Sequence, residues 1–253
     1  DPALEELTWA FMRWFYRQMD AVAAPTPTIR QELIDHGCLP QRVRVVGRGV
    51  DTELFHPGRR CEEFRRAHVH PHRTAFLYVG RLSREKNLPL LGESFKRLAS
   101  ERRDACLLVV GEGPYRAEME SALAGLPVRF LGALHGEALA TAYASSDAFV
   151  FPSETDTLGN VVLEAQAAGL PVIVSGQGGP KDCMQDGITG LVLPALSAGG
   201  LARVLAESCE RPESLRAMGR AARAYSRRFT HAASFEAFRR MHDDVLAKRL
   251  AVR

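Results

Sequence analysis

The sequence predicts an α/β protein whose main part is one complete, doubly wound parallel sheet, preceded by part of a second α/β unit. From residue 73 onward, short apolar runs rich in β-branched residues alternate with segments of helical periodicity. This pattern is typical of a parallel sheet that is covered on both faces. Polar loops, several of them rich in glycine, follow the apolar runs. Because ligands of such sheets bind at the carboxyl ends of the strands, we expect the functional residues in these loops.

Residues 1–58 predict the tail of the preceding α/β unit. An aromatic-rich amphipathic pattern at residues 3–20 predicts a helix packed against a domain, with a helix lying on a membrane surface as the alternative. The elements that follow form one βαβ crossover: a strand at residues 21–24, a helix at 28–36 and a strand at 42–46. One crossover is too little for a domain, so we expect the chain to be a fragment. A charged stretch without periodicity predicts an inter-domain linker at residues 59–72.

Residues 73–228 predict the complete domain. Six strands are expected, at residues 74–79, 106–110, 127–131, 147–151, 171–174 and 190–193. Helices are expected at residues 87–101, 114–124, 136–145, 159–168, 180–185, 199–209 and 212–224. A last helical pattern, at residues 231–250, combines an apolar face with a basic one, which indicates a docking face and a solvated face.

The composition is that of a globular protein with an ample core. The chain of 253 residues is 46% hydrophobic and 25% charged, and its formal net charge is +3. So small a charge gives no indication of nucleic-acid binding, although it suits an anionic ligand or an anionic membrane surface. The five cysteines are scattered and include no C-x-x-C pair, which favours reduced thiols in a cytoplasm over disulfides or a zinc site. No apolar run is long enough to span a bilayer.

The stretch at residues 151–171, FPSETDTLGNVVLEAQAAGLP, carries most of the predicted chemistry. A strand leads through a polar loop into a helix that begins near Gly159, where unpaired backbone N–H groups and the helix dipole favour an anion. Asp156 and Glu164 frame this helix start with seven residues between them. Asn160 and Glu164 share a helix face. Taken singly, these side chains also fit a helix cap and a solvated helix position.

Further loops at the same edge of the sheet carry basic and small residues. Arg81 and Lys86 follow the first strand, and an arginine fork beside a lysine charge suits a diphosphate; an isolated surface pair is the alternative. A tight glycine turn, residues 111–114, follows the second strand. Small residues at 132–134 follow the third strand and leave room for a flat base.

Five motifs, in this order and spacing, resemble glycosyltransferase family 4: GRLSREKN, GEGP, FLG, FVFPSETDTLGNVVLEAQAAGLPV and the glycine loop before DGITG. Members of that family are retaining enzymes with the GT-B fold that use nucleotide-diphosphate sugars. The resemblance covers residues 73–209, and residues 9–57, with GVDTELFHP, are similar to the close of an N-terminal domain. It implies a Rossmann-type donor-binding domain at residues 73–228, a helix at 229–253 that packs back toward the N-terminal domain, and a missing acceptor-side domain.

The resemblance implies roles for the residues that match its motifs. Arg81 and Lys86 would neutralise the donor diphosphate, and Asp156 would hold the donor sugar; these three are the candidate catalytic residues. Asp156 stands where the family normally has glutamate, which puts the donor preference in question. Glu164 would accept hydrogen bonds from the ribose hydroxyls. The other candidate donor-binding residues, around the phosphates, the sugar and the base, are Gly80, Gly132, Leu134, Leu158, Gly159, Asn160 and Val161.

The implied reaction moves a hexose from GDP-mannose or a UDP-hexose to a lipid or carbohydrate acceptor. Fixed cations and helix N–H groups aimed at the leaving diphosphate would stabilise the negative charge that grows there. The chain contains no D-x-D triplet, which fits metal-independent chemistry, and we expect no cofactor besides the donor. With its partner domain absent, the fragment is expected to be inactive alone.

Two alternatives stay open at this point. One is a nucleotide-binding module that is catalytically silent when truncated. The other is a nicotinamide-dependent oxidoreductase, which needs G-x-G-x-x-G after the first strand; GRLSRE does not fit that motif, although Glu112 imitates the acidic residue expected after the second strand. For location we expect the cytoplasm, with peripheral association with the inner face of the membrane as the alternative.

Overall fold

The computed structural model describes residues 2–69, 73–193 and 196–251. The chain divides into two compact units. The smaller unit is formed by Asp1–Gly49 and Phe229–Arg253, and the larger unit by Val50–Arg228. Across the described ranges, no helix has a stretch long and apolar enough to cross a bilayer.

Ten helices and eight strands are defined within the described residues. In chain order they are α1 (Pro2–Arg17), β1 (Val22–Ala24), α2 (Pro27–Asp35), β2 (Val43–Val45), α3 (Glu62–His68), β3 (Thr74–Val79), α4 (Leu88–Glu101), β4 (Ala105–Val110), α5 (Arg116–Ala122), β5 (Val128–Gly132), α6 (Gly136–Ala144), β6 (Ala148–Phe151), α7 (Asn160–Ala167), β7 (Val172–Ser175), β8 (Gly190–Leu193), α8 (Ala198–Glu210), α9 (Pro212–Ser226) and α10 (His231–Ala251).

The smaller unit is built on the predicted βαβ crossover. Strands β1 and β2 pair in parallel, with Val22 opposite Val43, and α1 packs Trp9 and Tyr16 against their buried core. The opposite face of α1 stays exposed, including Trp14 at 60%. Helix α10 belongs to this unit, where its residue Ser234 donates a hydrogen bond to the carbonyl of residue 47 at 2.6 Å.

The larger unit contains one six-stranded sheet in which every strand pair is parallel, in the order β5-β4-β3-β6-β7-β8. The chain runs outward from β3 to β5 and then returns to place β6 on the other side of β3. This reversal between β3 and β6 creates the switch point at which doubly wound sheets bind ligands. All six residues of β4 are buried, as expected for a strand covered on both faces.

The predicted fold class is confirmed. The observed strands of the larger unit begin and end within one residue of their predicted positions. Two groups of helices cover the sheet, α4 with α5 and α8, and α7 with α6 and α9. The helix expected at residues 180–185 is instead a short 3-10 turn, Pro180–Cys183, whose last carbonyl accepts a hydrogen bond from the amide of Gln166 at 2.7 Å. The next residue, Met184, has an extended backbone, with φ of −142° and ψ of 175°, so the helical turn ends there.

The segment for which we predict a linker, residues 59–72, is part of the larger unit, and ion pairs hold its described part to the rest of that unit. Arg60 and Arg65 bind the two carboxylate oxygens of Asp147, at 3.3 and 3.1 Å. The segment lacks a periodic apolar stripe because these arginines, and not a hydrophobic face, attach it to the turn between α6 and β6. Residues 70–72 lie outside the described residues.

Candidate functional site

The loops after β3 and β6 meet at the switch point of the sheet. Lys86 follows β3 and Asp156 follows β6, and the ammonium group of Lys86 lies 2.9 Å from the carboxylate Oδ2 of Asp156. The two side chains are only 16% and 23% exposed. Partial burial strengthens the attraction between two such charges relative to a pair on the open surface. The structure thus brings together two residues that the sequence could only assign to one edge.

Asn87 joins the same two loops. Its backbone is left-handed, with φ of 55°, where the 3-10 turn Arg84–Lys86 ends and α4 begins. Its side-chain amide donates one hydrogen bond to the carbonyl of Pro152 and one to the carboxylate of Glu154, each at 3.0 Å. Because Asn87 adjoins Lys86, these bonds fix the distance between Lys86 and the loop that carries Asp156.

The N-terminus of α7 lies directly after this loop. Gly159 is the N-cap, with φ of 76°. The alternative interpretation, in which Asp156 or Thr157 occupies the N-cap position, is therefore wrong. The first N–H groups of a helix have no partner within it and carry the positive end of the dipole. Of the residues predicted to form this helix mouth, Leu158 is buried, Asn160 is exposed and Val161 is half-buried.

The glycine loop after β7 closes against the loop before α7. The N–H of Gly179 donates to the carbonyl of Asp156 at 2.8 Å. A Cβ atom on Gly179 would lie 1.8 Å from the carbonyl oxygen of Thr157, so only glycine permits this approach. Lys181 donates to the carbonyl of Gly176 at 2.9 Å and holds the loop closed. The Asp156 backbone is therefore held from both sides of the switch point.

Glu164 lies one turn into α7 and is half-buried. The hydroxyl of Tyr143, on α6, donates to its Oε2 at 3.0 Å. Burial raises the pKa of Glu164, and the hydrogen bond from Tyr143 opposes that shift. Burial and the neighbouring Glu164 carboxylate raise the pKa of Tyr143 far above its usual value, so the phenol remains a donor.

Arg81 is arranged differently from Lys86. Its guanidinium is 66% exposed and pairs with Glu85, four residues along, at 2.5 Å. Its carbonyl accepts a hydrogen bond from the hydroxyl of Tyr78 at 3.1 Å. The backbone of Arg81 and of the preceding Gly80 thus lies at the end of β3, while the Arg81 charge points to Glu85. The structure does not bring Arg81 into contact with Lys86 or Asp156.

The residues predicted to border the base lie at the end of β5. Gly132 has φ of 69°, and a Cβ there would lie 3.2 Å from the carboxylate of Glu112. Leu134 is half-buried. Glu112 itself is bound by Arg116, so the carboxylate that could imitate a dinucleotide-binding acid is already neutralised.

Sequence reasoning missed several residues at this edge. Tyr143 is 21 residues before Glu164, and nothing in the sequence connects them. Asn87 could have been found, because asparagine tolerates the left-handed conformation at the end of a helical turn. Ser153, directly after Pro152, is fully buried, and its hydroxyl has no hydrogen-bond partner among the described residues.

The doubly wound sheet, with the Lys86 ammonium and the N-terminus of α7 at its switch point, agrees with the class of GT-B glycosyltransferases. The family described as glycosyl transferases group 1 matches residues 61–225, and that described as glycosyltransferase family 4 matches residues 2–54. The chain therefore belongs to the group 1 glycosyl transferases, and the predicted family resemblance is confirmed.

Several curated proteins are similar in sequence. The chain is 37% identical over 190 residues to the sulfoquinovosyl transferase SQD2 of Arabidopsis thaliana, covering 73% of this chain and 36% of that protein. It is 39% identical over 193 residues to a GDP-mannose-dependent alpha-mannosyltransferase of Mycobacterium tuberculosis, covering 76% of this chain and 49% of the relative. The chain spans between 36% and 53% of the length of such relatives.

Solved structures share the fold. HepE of Anabaena, in complex with UDP and glucose, superposes with a TM-score of 0.79 at 20% identity, covering 88% of this chain and 63% of that one. Sucrose-phosphate synthase from Thermosynechococcus elongatus superposes with a TM-score of 0.81 at 24% identity, covering 96% and 62% of the two chains. At these identities the likeness establishes the fold alone.

Proposed function

We propose that the chain is the donor-binding part of a glycosyltransferase that moves a hexose from a nucleotide-diphosphate sugar to a lipid or glycan acceptor. The observation that carries the proposal is the convergence of the Lys86 ammonium and the N-terminus of α7 on one switch point. A lysine charge and a set of helix N–H groups at one place are what a pyrophosphate requires. The acceptor site is assigned to another domain of the enzyme.

In the proposal the donor diphosphate replaces Asp156 as the ion-pair partner of the Lys86 ammonium. The ion pair of 2.9 Å keeps Lys86 aimed at the site when no donor is present. Once the diphosphate engages Lys86, Asp156 is free to accept hydrogen bonds from hydroxyls of the donor sugar. Arg81 adds a second cation after rotating away from Glu85, which its exposure of 66% permits at small energetic cost.

Glu164 is assigned to the ribose and the loop after β5 to the base. Glu164 lies one turn beyond the helix mouth, so a diphosphate at the mouth leaves its ribose on the Glu164 side of α7. Gly132 and Leu134 then border the base. The names of two relatives and of a structural neighbour mention GDP-mannose and UDP, so we propose a GDP-mannose or UDP-hexose donor.

The proposed reaction retains the configuration of the sugar. The bond between the anomeric carbon and the diphosphate oxygen breaks, and the acceptor oxygen bonds to the same face of that carbon. The acceptor proton passes to a diphosphate oxygen, and the nucleoside diphosphate leaves. Lys86, Arg81 and the N–H groups of α7 stabilise the charge that grows on the leaving group, without a metal ion in the scheme. We also propose a cytoplasmic location.

Nucleotide binding tests this proposal. Isothermal calorimetry with UDP and with GDP should show binding of at least one, with a matching rise in melting temperature. Glu164→Ala should weaken that binding by about tenfold or more, since it removes a carboxylate acceptor. Glu137→Ala, at a glutamate that is 80% exposed on the neighbouring helix, is the control and should bind as the wild type does. Absence of binding by either nucleotide would refute the donor site.

A binding module without activity is the remaining alternative. An assay of sugar transfer by a longer form that includes the acceptor-side domain, compared with the present chain, separates the two. Transfer by the longer form supports the enzyme, whereas nucleotide binding without transfer by either form supports the silent module.

A further inference from the structure

We infer that Tyr143 is a positioning residue of this site, whose hydroxyl keeps Glu164 an aimed and charged acceptor for the ribose of the donor. The inference rests on the proposed function, because it assigns a support to the glutamate of that same site. Neither the sequence motifs nor the relatives assign Tyr143 a role.

The position of the Tyr143 hydroxyl is fixed by packing. The side chain is fully buried. Phe55 meets its ring edge-on, with ring centres 5.6 Å apart and planes at 86°, and Phe149 lies at 5.7 Å on another side. A ring held between two aromatic neighbours has little rotational freedom. Its hydroxyl therefore has a fixed position, from which it donates a hydrogen bond to the Oε2 of Glu164 at 3.0 Å.

The arrangement of Glu164 leaves one of its two carboxylate oxygens open to a ligand. Tyr143 occupies Oε2, while Oε1 has no hydrogen-bond partner among the residues that the structure describes. Oε1 is not among the buried unsatisfied atoms of the described residues, so solvent or a ligand can reach it. A donor from outside the chain, such as a ribose hydroxyl, would satisfy that oxygen. Tyr143 then leaves Oε1 as the oxygen that faces the ligand.

The charge of Glu164 depends on the same contact. Partial burial favours the neutral form and raises the pKa of Glu164, and the Tyr143 hydrogen bond counters that shift. The charged groups on the neighbouring elements are engaged elsewhere: Lys181 with the carbonyl of Gly176, Arg223 with the carbonyl at the end of α7, and Asp156 with Lys86. Loss of the Tyr143 hydroxyl should therefore protonate Glu164 at a higher pH and weaken ribose binding as the pH falls.

The test compares wild type and Tyr143→Phe by calorimetry with UDP and GDP, at about pH 8 and about pH 6. We expect the dissociation constant of Tyr143→Phe, divided by that of wild type, to be larger at the lower pH, because Glu164 takes up a proton more readily once the hydroxyl is lost. Protonation of the nucleotide phosphates affects both dissociation constants equally, so it cancels in their ratio. Melting curves without nucleotide check that the variant is folded.

Glu164→Gln supplies the matched background. This variant has no ionisable group at position 164. The ratio of the dissociation constants of the double variant and of Glu164→Gln alone should therefore be the same at both pH values. The inference is overturned if Tyr143→Phe does not change nucleotide affinity, if the change does not depend on pH, or if the same change occurs in the Glu164→Gln background. Binding of nucleotide by the wild type would still support the proposed function in each of these cases. Failure of the wild type to bind either nucleotide would instead remove the proposed function itself.

A second substitution covers the case in which Tyr143→Phe does not fold. 3-Fluorotyrosine at position 143 keeps the ring and the hydroxyl but makes the hydroxyl a stronger donor. Nucleotide binding at about pH 6 should then be retained or strengthened relative to wild type, because Glu164 stays ionised to a lower pH. Weaker binding at that pH would contradict the inference.

Discussion

Replacing Asn87 by glycine and, separately, by alanine should divide its contribution to stability into a side-chain part and a backbone part. Asn87 has φ of 55° and ψ of 32°, and it is the one non-glycine residue with positive φ in the described parts of the chain. Glycine adopts this conformation freely but has no amide, whereas alanine lacks the amide and also resists the conformation. The two variants therefore differ by the backbone part alone.

The magnitude follows from the two hydrogen bonds of Asn87. Each spans 3.0 Å, one to the carbonyl of Pro152 and one to the carboxylate of Glu154. A neutral hydrogen bond contributes about 1 kcal/mol and one to a charged group about 2 kcal/mol. Asn87→Gly should thus lower the free energy of unfolding by about 2 to 3 kcal/mol. Asn87→Ala should lower it by about 1 kcal/mol more, the cost of a left-handed residue with a Cβ.

Urea unfolding followed by circular dichroism measures both values. Asn160→Ala is the control, because Asn160 is exposed at the start of α7, and its loss should change stability by less than about 0.5 kcal/mol. The reasoning fails if Asn87→Ala is as stable as Asn87→Gly, or if both variants unfold at the wild-type urea concentration. Either result would mean that Asn87 does not fix the loop before α7.

Two further stability predictions use matched pairs in urea unfolding. Gly159→Ala should lower the free energy of unfolding by about 2 kcal/mol, because φ is 76° and the new Cβ would lie 3.2 Å from Pro180. Gly187→Ala, with φ of 71° and open space around its Cβ, should lower it by about 1 kcal/mol; equal losses would show that crowding at α7 is unimportant. Arg223→Met should lower it by about 3 kcal/mol, since its guanidinium donates to three backbone carbonyls. The exposed Arg220, changed to Met, should cost less than about 0.5 kcal/mol, and a comparable loss in both would disprove the assigned role of Arg223.

Much of the sheet could be predicted from the sequence strand by strand, because β4, β6 and β7 are buried on both faces. Such strands appear as unbroken apolar runs, as ACLLVV does in β4, and polar loops mark their ends. The segment 59–72 could not be predicted in this way. Its attachment depends on Arg60 and Arg65 reaching Asp147, more than 80 residues away in sequence, and such contacts leave no periodic pattern.

The site could be predicted only in part for the same reason. Strand ends identified the edge where Lys86 and Asp156 meet, and the glycine and polar residues before α7 identified the helix mouth. The directions in which the side chains point could not be predicted from the sequence. Nothing in it showed that Arg81 would pair with Glu85 or that Tyr143 would reach Glu164, because both depend on rotamers and on how α6 packs against α7.

In the proposed function, the diphosphate of the donor binds between Lys86 and the N-terminus of α7. Calorimetry with nucleoside diphosphate and nucleoside monophosphate, for wild type and for Lys86→Met, tests it most directly, with the exposed Lys248→Met as the control. Wild type and Lys248→Met should bind the diphosphate at least about tenfold more tightly than the monophosphate, and Lys86→Met should nearly abolish this preference. A preference for the diphosphate that survives Lys86→Met undiminished would show that Lys86 does not bind the diphosphate.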